Sequence, residues 1–247
     1  MKEERMIMGM PVTVEIADAS AGKDAFNEVF SYFDYVDKKF STYKGESEIS
    51  KINRNELAVK DWSDDMGEIF FLSEKTKEET DGFFDIKTPE GKFDPSGIVK
   101  GWAIRNAAGI ISEKGFRNFY VEAGGDIQTS GNNEKGTPWR VGIKNPFNKK
   151  EIVKVISVSG EGVATSGMYE RGEHIYNPKT GASASKDVAS ITVIGPDIYE
   201  ADRFATAAFA MGAEGISFIE NLKGFDGYMI DGKGVATMTS GFKKYAA

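Results

Sequence analysis

G-I-V-K-G-W-A-I-R-N-A-A-G-I-I-S-E-K-G-F-R-N-F-Y-V-E-A-G-G-D-I-Q-T-S, residues 97–130, changes its period halfway along. Val99, Trp102, Ala103 and Ile110 recur at the spacing of one helix face, so a helix is expected from Gly97 to Glu113. From Phe119 the chain reads instead as short strands, Phe119 to Glu122 and Ile127 to Ser130, interrupted by two glycines. Beyond residue 130 the strand pattern continues. Trp139 to Lys144, Ile152 to Ser157, Gly162 to Thr165 and Ala189 to Ile194 are short strands between Gly, Asn and Pro turns. Strands and helices come in blocks rather than strict alternation, which predicts an α+β fold with a mixed or antiparallel sheet.

Upstream, Met10 to Ile16 reads as a strand. Phe26, Val29, Phe30, Phe33, Val36 and Phe40 then recur as the apolar stripe of an amphipathic helix. Ser41 to Asn53 is polar and reads as a loop. Asp64 to Thr80 reads as a second helix with Met66, Ile69 and Phe70 on one face, and Asp81 to Ser96 as a turn-rich connection. Downstream, Glu200 to Met211 and Ala213 to Leu222 are expected helices. Tyr228 to Ile230 and Val235 to Met238 form a hairpin closed by D-G-K-G. With no repeat, linker or low-complexity tract, one domain over residues 1–247 is expected.

The chain has 247 residues, 28% of them charged, and a formal net charge of -7. That balance argues against a nucleic-acid binder, which needs a basic face for phosphates. There are no cysteines and one histidine, His174. Thiolate and multi-histidine metal sites within one chain are thereby excluded, and a bound metal must be held mainly by oxygen, which favours Mg²⁺ or Ca²⁺. The opening M-K-E-E-R-M-I-M-G-M lacks an apolar run of signal-peptide length and a lipobox cysteine. A cytoplasmic location is expected on that basis, unless a leader was removed before this numbering.

Four segments carry candidate chemistry. F-D-P-S-G-I-V-K-G-W, from Phe93 to Trp102, sets backbone N–H groups and Lys100 at a helix start, a place that attracts phosphate. The same residues also read as an ordinary N-terminus capped by Ser96. E-A-G-G-D-I, from Glu122 to Ile127, allows close backbone approach to a ligand, or is simply a turn with Asp126 in it. In Y-E-A-D-R-F-A-T-A, Asp202 and Thr206 are one helical turn apart and share a face, where a carboxylate and a hydroxyl can bind a hard cation. Asp202 also suits a helix start for dipole reasons alone. His174, in G-E-H-I-Y-N-P-K-T-G, is a surface residue or the one acid/base group with a pKa near neutrality. Neither a G-x-S-x-G elbow nor a G-x-G-x-x-G fingerprint is present.

Taken together, these segments resemble the ApbE family, the FAD:protein FMN transferases. M-G-M-P-V-T-V at Met8 to Val14 is similar to the family's opening strand, and F-S-T-Y-K-G-E-S-E-I-S-K-I-N at Phe40 to Asn53 to its F-S-T-Y signature. T-D-G-F-F-D-I, the stretch from Asp94 to Ala103, E-A-G-G-D-I, G-V-A-T-S-G, H-I-Y-N-P-K-T-G and E-A-D-R-F-A-T-A-A-F-A-M-G follow in the family's order. The chain resembles a short form: longer members carry an insertion of several dozen residues where Ile86 to Lys92 here nearly joins two motifs directly, so its flavin pocket is expected to be walled differently.

The resemblance implies a function and roles. The reaction is a Mg²⁺-dependent transfer of FMN from FAD to a Thr or Ser hydroxyl of an acceptor flavoprotein, with release of AMP. FAD, the substrate, is expected against Met8, Tyr43, Phe83, Phe84, Asp85, Asp94, Lys100 and Tyr176. Mg²⁺ is expected on the Asp202 carboxylate, the Thr206 hydroxyl and the Gly97 carbonyl, with Ala205 on the same turn. Asp202 and His174 are the expected catalytic residues. Two rival readings remain: an FAD pyrophosphatase using water as acceptor, and a flavin-binding protein without chemistry. Neither nucleic acid nor membrane insertion is expected.

Overall fold

The computed structural model describes residues 1–167, 177–181 and 187–246. Its first element is a hairpin whose outer strand the sequence pattern leaves unmarked. β1 (Lys2–Ile7) pairs antiparallel with β2 (Met10–Ile16), with Ile7 opposite Met10. Met8 and Gly9 form the two-residue connection, both at positive φ (57° and 73°), as a type I′ turn requires. β1 reads K-E-E-R-M-I and buries only Ile7, so it carries no alternation to detect.

α1 (Lys23–Phe40) buries the predicted stripe, Phe26, Val29, Phe30, Phe33, Val36 and Phe40. Full burial of each such side chain contributes ~1.5–3 kcal/mol. The expected loop from Ser41 to Asn53 ends instead in a short helix, α2 (Glu48–Asn53), with the Ser47 hydroxyl accepting from Ser50 N–H at 3.2 Å. Six residues are too few for a period to register, and Ile49 and Ile52 are its only large inward side chains. α3 (Asp64–Glu79) follows, then the predicted turn-rich connection and α4 (Ser96–Glu113). Ser96 is the first helical residue rather than the cap. Asp94 supplies the acceptor instead, taking the Ser96 N–H at 3.0 Å. Near the far end of α4 the fully buried residue is Ile111, and Ile110 is half-buried.

The strands that follow are β3 (Phe119–Ala123), β4 (Asp126–Ser130), β5 (Trp139–Asn145), β6 (Asn148–Val158), β7 (Gly162–Gly167) and β8 (Val188–Gly195). α5 (Ile198–Ala210) and α6 (Gly215–Asn221) precede the closing hairpin of β9 (Asp226–Asp231) and β10 (Ala236–Met238). Eight strands form one sheet in the order β1-β2-β3-β4-β7-β8-β9-β10, every pairing antiparallel, while β5 and β6 form a separate two-stranded sheet, with a single bridge from Ile156 to Ala246. This is an α+β architecture, as expected.

The sheet is covered on both faces. Ile191, Val193 and Met229 belong to a core shared with α1, α4, α5 and α6, whereas their chain neighbours Ile194, Tyr228 and Ile230 pack with Trp139, Ile143, Ile156 and Phe242 on the other side. Alternate residues of a strand face opposite ways, so the helices cover one face and the β5–β6 hairpin the other. None of the described helices is long and apolar enough to cross a membrane.

Candidate active site

The site is built where α4, packed on β3 and β4, meets α5, packed on β7 and β8. The two helices run antiparallel and meet through a ladder: Gly97 and Gly101, one turn apart on α4, lie against Thr206 and Asp202, one turn apart on α5. Glycine is required there. A Cβ at Gly101 would stand 2.7 Å from the Asp202 Cβ and 2.8 Å from the Ile198 carbonyl, and one at Gly97 would stand 3.1 Å from Thr206 Cγ2. Absent both methyl groups, the helices close until backbone and side chain touch. Gly101 N–H donates to Asp202 Oδ2 at 2.8 Å, and the Thr206 hydroxyl donates to the Gly97 carbonyl at 3.4 Å. The Gly97 carbonyl, the Thr206 hydroxyl and the Asp202 carboxylate are thus brought together at one helix crossing, as the resemblance implies. Ala205, also expected there, is fully buried on α5, and its methyl offers no donor.

Asp202 is 3% exposed. Burial pushes its carboxyl above the usual carboxylate range, the ammonium of Lys100 pulls it down, and the nearby Asp126 raises it again. Lys100 Nζ lies 2.7 Å from Asp126 Oδ2 and 4.0 Å from Asp202 Oδ1. The closer contact is an ion pair. Asp126 is fully buried, and its Oδ1 accepts the Thr165 N–H at 3.0 Å. The next residue on α5, Arg203, turns away to α3. Its guanidinium pairs with Glu79 and Glu200 and donates to Thr76 Oγ1 at 3.3 Å, pinning the register of α5.

Lys100 also lines a cavity of about 450 Å³, with Met8, Phe40, Tyr43, Asp94 and Val99 among the other walls. Four expected flavin contacts, Met8, Tyr43, Asp94 and Lys100, therefore share one pocket. Met8 comes from the β1–β2 turn. Tyr43 stands at the wall and is 92% exposed, so little is packed on it. Three other expected contacts sit elsewhere. Phe84 is buried, its ring 3.3 Å from where a Gly97 Cβ would be, so it backs the α4–α5 ladder. Phe83 lies under the ammonium of Lys179, 4.1 Å from the ring centre, and Lys179 also pairs with Asp81 at 2.7 Å. Asp85 pairs with Lys77 at 2.7 Å and accepts from Lys87 N–H. His174 and Tyr176 lie outside the described residues.

Two residues matter more than their local sequence indicates. Asp126 reads as a turn residue but is a buried partner of Lys100. Gly101 reads as helix interior but is the contact that lets Asp202 in. A usable signal existed in the matched four-residue spacings, Gly97 to Gly101 and Asp202 to Thr206. Among the described residues no group of three or more acidic or histidine side chains could hold a metal alone. The oxygen set here fits a cation that completes its shell from phosphate and water, as Mg²⁺ commonly does.

Comparison with known proteins bears on the family and the fold. The sequence model of the ApbE family matches residues 8–90 and 87–229. The FAD:protein FMN transferase of Escherichia coli (strain K12) is 32% identical over 155 residues, covering 59% of this chain and 44% of that protein. The chain spans about half the length of the first curated relatives it matches. Among solved structures, the flavin transferase ApbE from Vibrio cholerae superposes with a TM-score of 0.86 at 22% identity, covering 99% of this chain and 98% of that one. The ApbE protein from Thermotoga maritima MSB8 gives 0.88 at 23%, covering 100% and 99%. At these identities the structural likeness concerns the fold.

Proposed function

Because the chain belongs to the ApbE family, we propose that it is an FAD:protein FMN transferase, moving FMN from FAD to a Thr or Ser hydroxyl of an acceptor protein. The observation that carries the reading is one side chain with two neighbourhoods. Lys100 lines the cavity that holds Met8, Tyr43 and Asp94, and it stands 4.0 Å from Asp202 on the α4–α5 ladder. A flavin-sized pocket therefore adjoins an oxygen-rich helix crossing suited to a diphosphate and its cation.

The Asp202 carboxylate, the Thr206 hydroxyl and the Gly97 carbonyl would hold Mg²⁺. When bound, the ion supplies charge neutralisation and Lewis acidity at the diphosphate. The chain's own residues do the rest. Tyr43 and Met8 offer apolar surface to the planar ring system. Lys100 presents an ammonium to the diphosphate, and the ladder keeps the α4 backbone close to it. In the transfer, the acceptor hydroxyl oxygen bonds to the phosphorus on the FMN side, the phosphorus–oxygen bond to the AMP half breaks, and AMP departs with the electron pair. His174 takes the hydroxyl proton. Such phosphoryl chemistry depends mainly on positioning and charge neutralisation.

The test is incubation of the purified chain with FAD, Mg²⁺ and a tagged candidate acceptor, read by in-gel flavin fluorescence and by AMP release. A fluorescent acceptor band with stoichiometric AMP supports transfer. AMP release at the same rate without acceptor favours the pyrophosphatase reading, and no turnover of FAD in either arm removes the enzyme assignment.

A further inference from the structure

Resting on the transfer reading above, we propose that the open edge of β1 receives an extended segment of the acceptor protein as an added strand, which leads its Thr or Ser hydroxyl to the cavity. β1 ends the eight-stranded sheet, so only one of its sides is paired. Its register fixes which groups are left over. The Met1 amino group donates to the Ile16 carbonyl at 2.6 Å, and Ile16 N–H donates to the Met1 carbonyl at 2.9 Å. Hydrogen-bonded pairs recur at every second residue of an antiparallel ladder, and the register runs unbroken to Ile7 opposite Met10. Glu3, Arg5 and Ile7 therefore bond to β2, and the backbone N–H and C=O groups of Lys2, Glu4 and Met6 point away from the sheet. All three residues are exposed, and among the described residues none of these backbone groups has a hydrogen-bond partner. α1 packs on a face of β1, with the Arg5 guanidinium 4.2 Å over the Phe30 ring, and not along this edge.

The occupant follows from the chemistry of the edge and from where it leads. A row of backbone donors and acceptors at strand spacing pairs with another extended backbone, whatever its side chains. The charged part of β1 is tied to its own chain: Lys2 pairs with Glu15, Glu4 accepts from the Thr13 hydroxyl, and Arg5 donates to Asn27. Toward the turn the charge stops, and Met6 is 71% exposed. The next residues but one, Met8 and Gly9, line the cavity. A strand laid beside Met6 thus reaches the cavity within about two residues, or ~7 Å. The opposite edge, β10, has three residues and lies at the far end of the sheet.

The probe is a peptide of about ten residues, enough for one strand, spanning the modified Thr or Ser of an acceptor that the chain flavinylates. Met6→Pro removes the outward N–H and sets a ring on the edge while sparing the bonds to β2, a change that edge strands tolerate. It should raise KM for the peptide by about tenfold or more, the scale of a lost hydrogen bond together with a blocked approach, and leave kcat and FAD affinity near the parent values. Met6→Ala, which keeps the N–H, should behave as the parent. An unchanged KM in Met6→Pro overturns the inference, and so does an equal rise in Met6→Ala, which would assign the effect to the side chain. Should Met6→Pro not fold, amide hydrogen exchange of the parent decides. The Lys2, Glu4 and Met6 amides should slow when the peptide, its Thr or Ser replaced by Ala, is added with FAD. No slowing contradicts the proposal, and slowing that needs only a higher chain concentration would assign the edge to a second copy instead. A parent chain that flavinylates no acceptor removes the transfer reading and this inference with it, a result distinct from any change in KM.

Discussion

At Asp202 burial and charge are in conflict. Enclosing a carboxylate in a helix crossing raises the cost of its charged form, and here Lys100 offsets that cost only from 4.0 Å. A group kept in such a place contributes little to folding. Asp202→Ala should accordingly abolish Mg²⁺-dependent transfer yet leave the fold. Lys100 keeps its closer partner Asp126, and loss of the acceptor for Gly101 N–H costs ~1 kcal/mol. In a chain of this size that moves Tm by about 2–4 °C. Transfer at the parent rate across a Mg²⁺ titration would contradict the assignment. His174 separates differently. As the only histidine, it should affect chemistry without binding: His174→Ala should leave FAD affinity nearly unchanged and slow transfer by about two to four orders of magnitude. Joint loss of FAD binding and thermal stability would instead assign His174 a structural role. That Asp202 and Thr206 share a helix face was legible in sequence from their four-residue spacing, whereas a role for them with a cation came only from the family resemblance. Asp126 was not legible, because its partner Lys100 is distant in sequence and meets it only after β4 packs on α4.

At the scale of elements, the α4–α5 crossing makes a local test possible within one helix. Gly101 and Gly109 are both helical glycines of α4, but a Cβ at Gly101 meets Asp202 at 2.7 Å whereas one at Gly109 meets nothing within 4 Å. Gly101→Ala should therefore destabilise by ~1–3 kcal/mol through overpacking and lower transfer by shifting Asp202. Gly109→Ala should stabilise by ~0.5–1 kcal/mol through reduced backbone entropy. Thermal denaturation of the two variants checks the sign of each. Equal shifts would mean that the helix contact is not tight. The amphipathic α1 and the long α4 were readable from period alone. β1 and α2 were not: one is a mostly exposed, charged edge strand, and the other a six-residue helix placed by its Ser47 cap and by Ile49 and Ile52.

For the whole molecule, the order of the sheet was the least legible feature. Strand periodicity reports which residues are extended, but the pairing of β4 with β7 skips the β5–β6 hairpin and has no local signature. That pairing matters to the site, since it sets Thr165 beside Asp126. The chain-wide inventory was legible and makes its own prediction. With no cysteine and one histidine, the chain offers a divalent ion mostly oxygen. EDTA should abolish transfer, Mg²⁺ should restore it, and Zn²⁺ should restore it poorly. Full activity in excess chelator would take the cation out of the mechanism.

The central claim is that the α4–α5 ladder holds the cation beside the flavin pocket, and locating the ion tests it most directly. Crystals of the chain grown with FAD and Mn²⁺, measured at the manganese absorption edge, should give an anomalous peak touching Asp202 Oδ1, Thr206 Oγ1 and the Gly97 carbonyl. Flavin density should occupy the cavity lined by Met8, Tyr43 and Lys100. A flavin in that cavity with no peak at the ladder, or a peak elsewhere on the chain, would contradict the account.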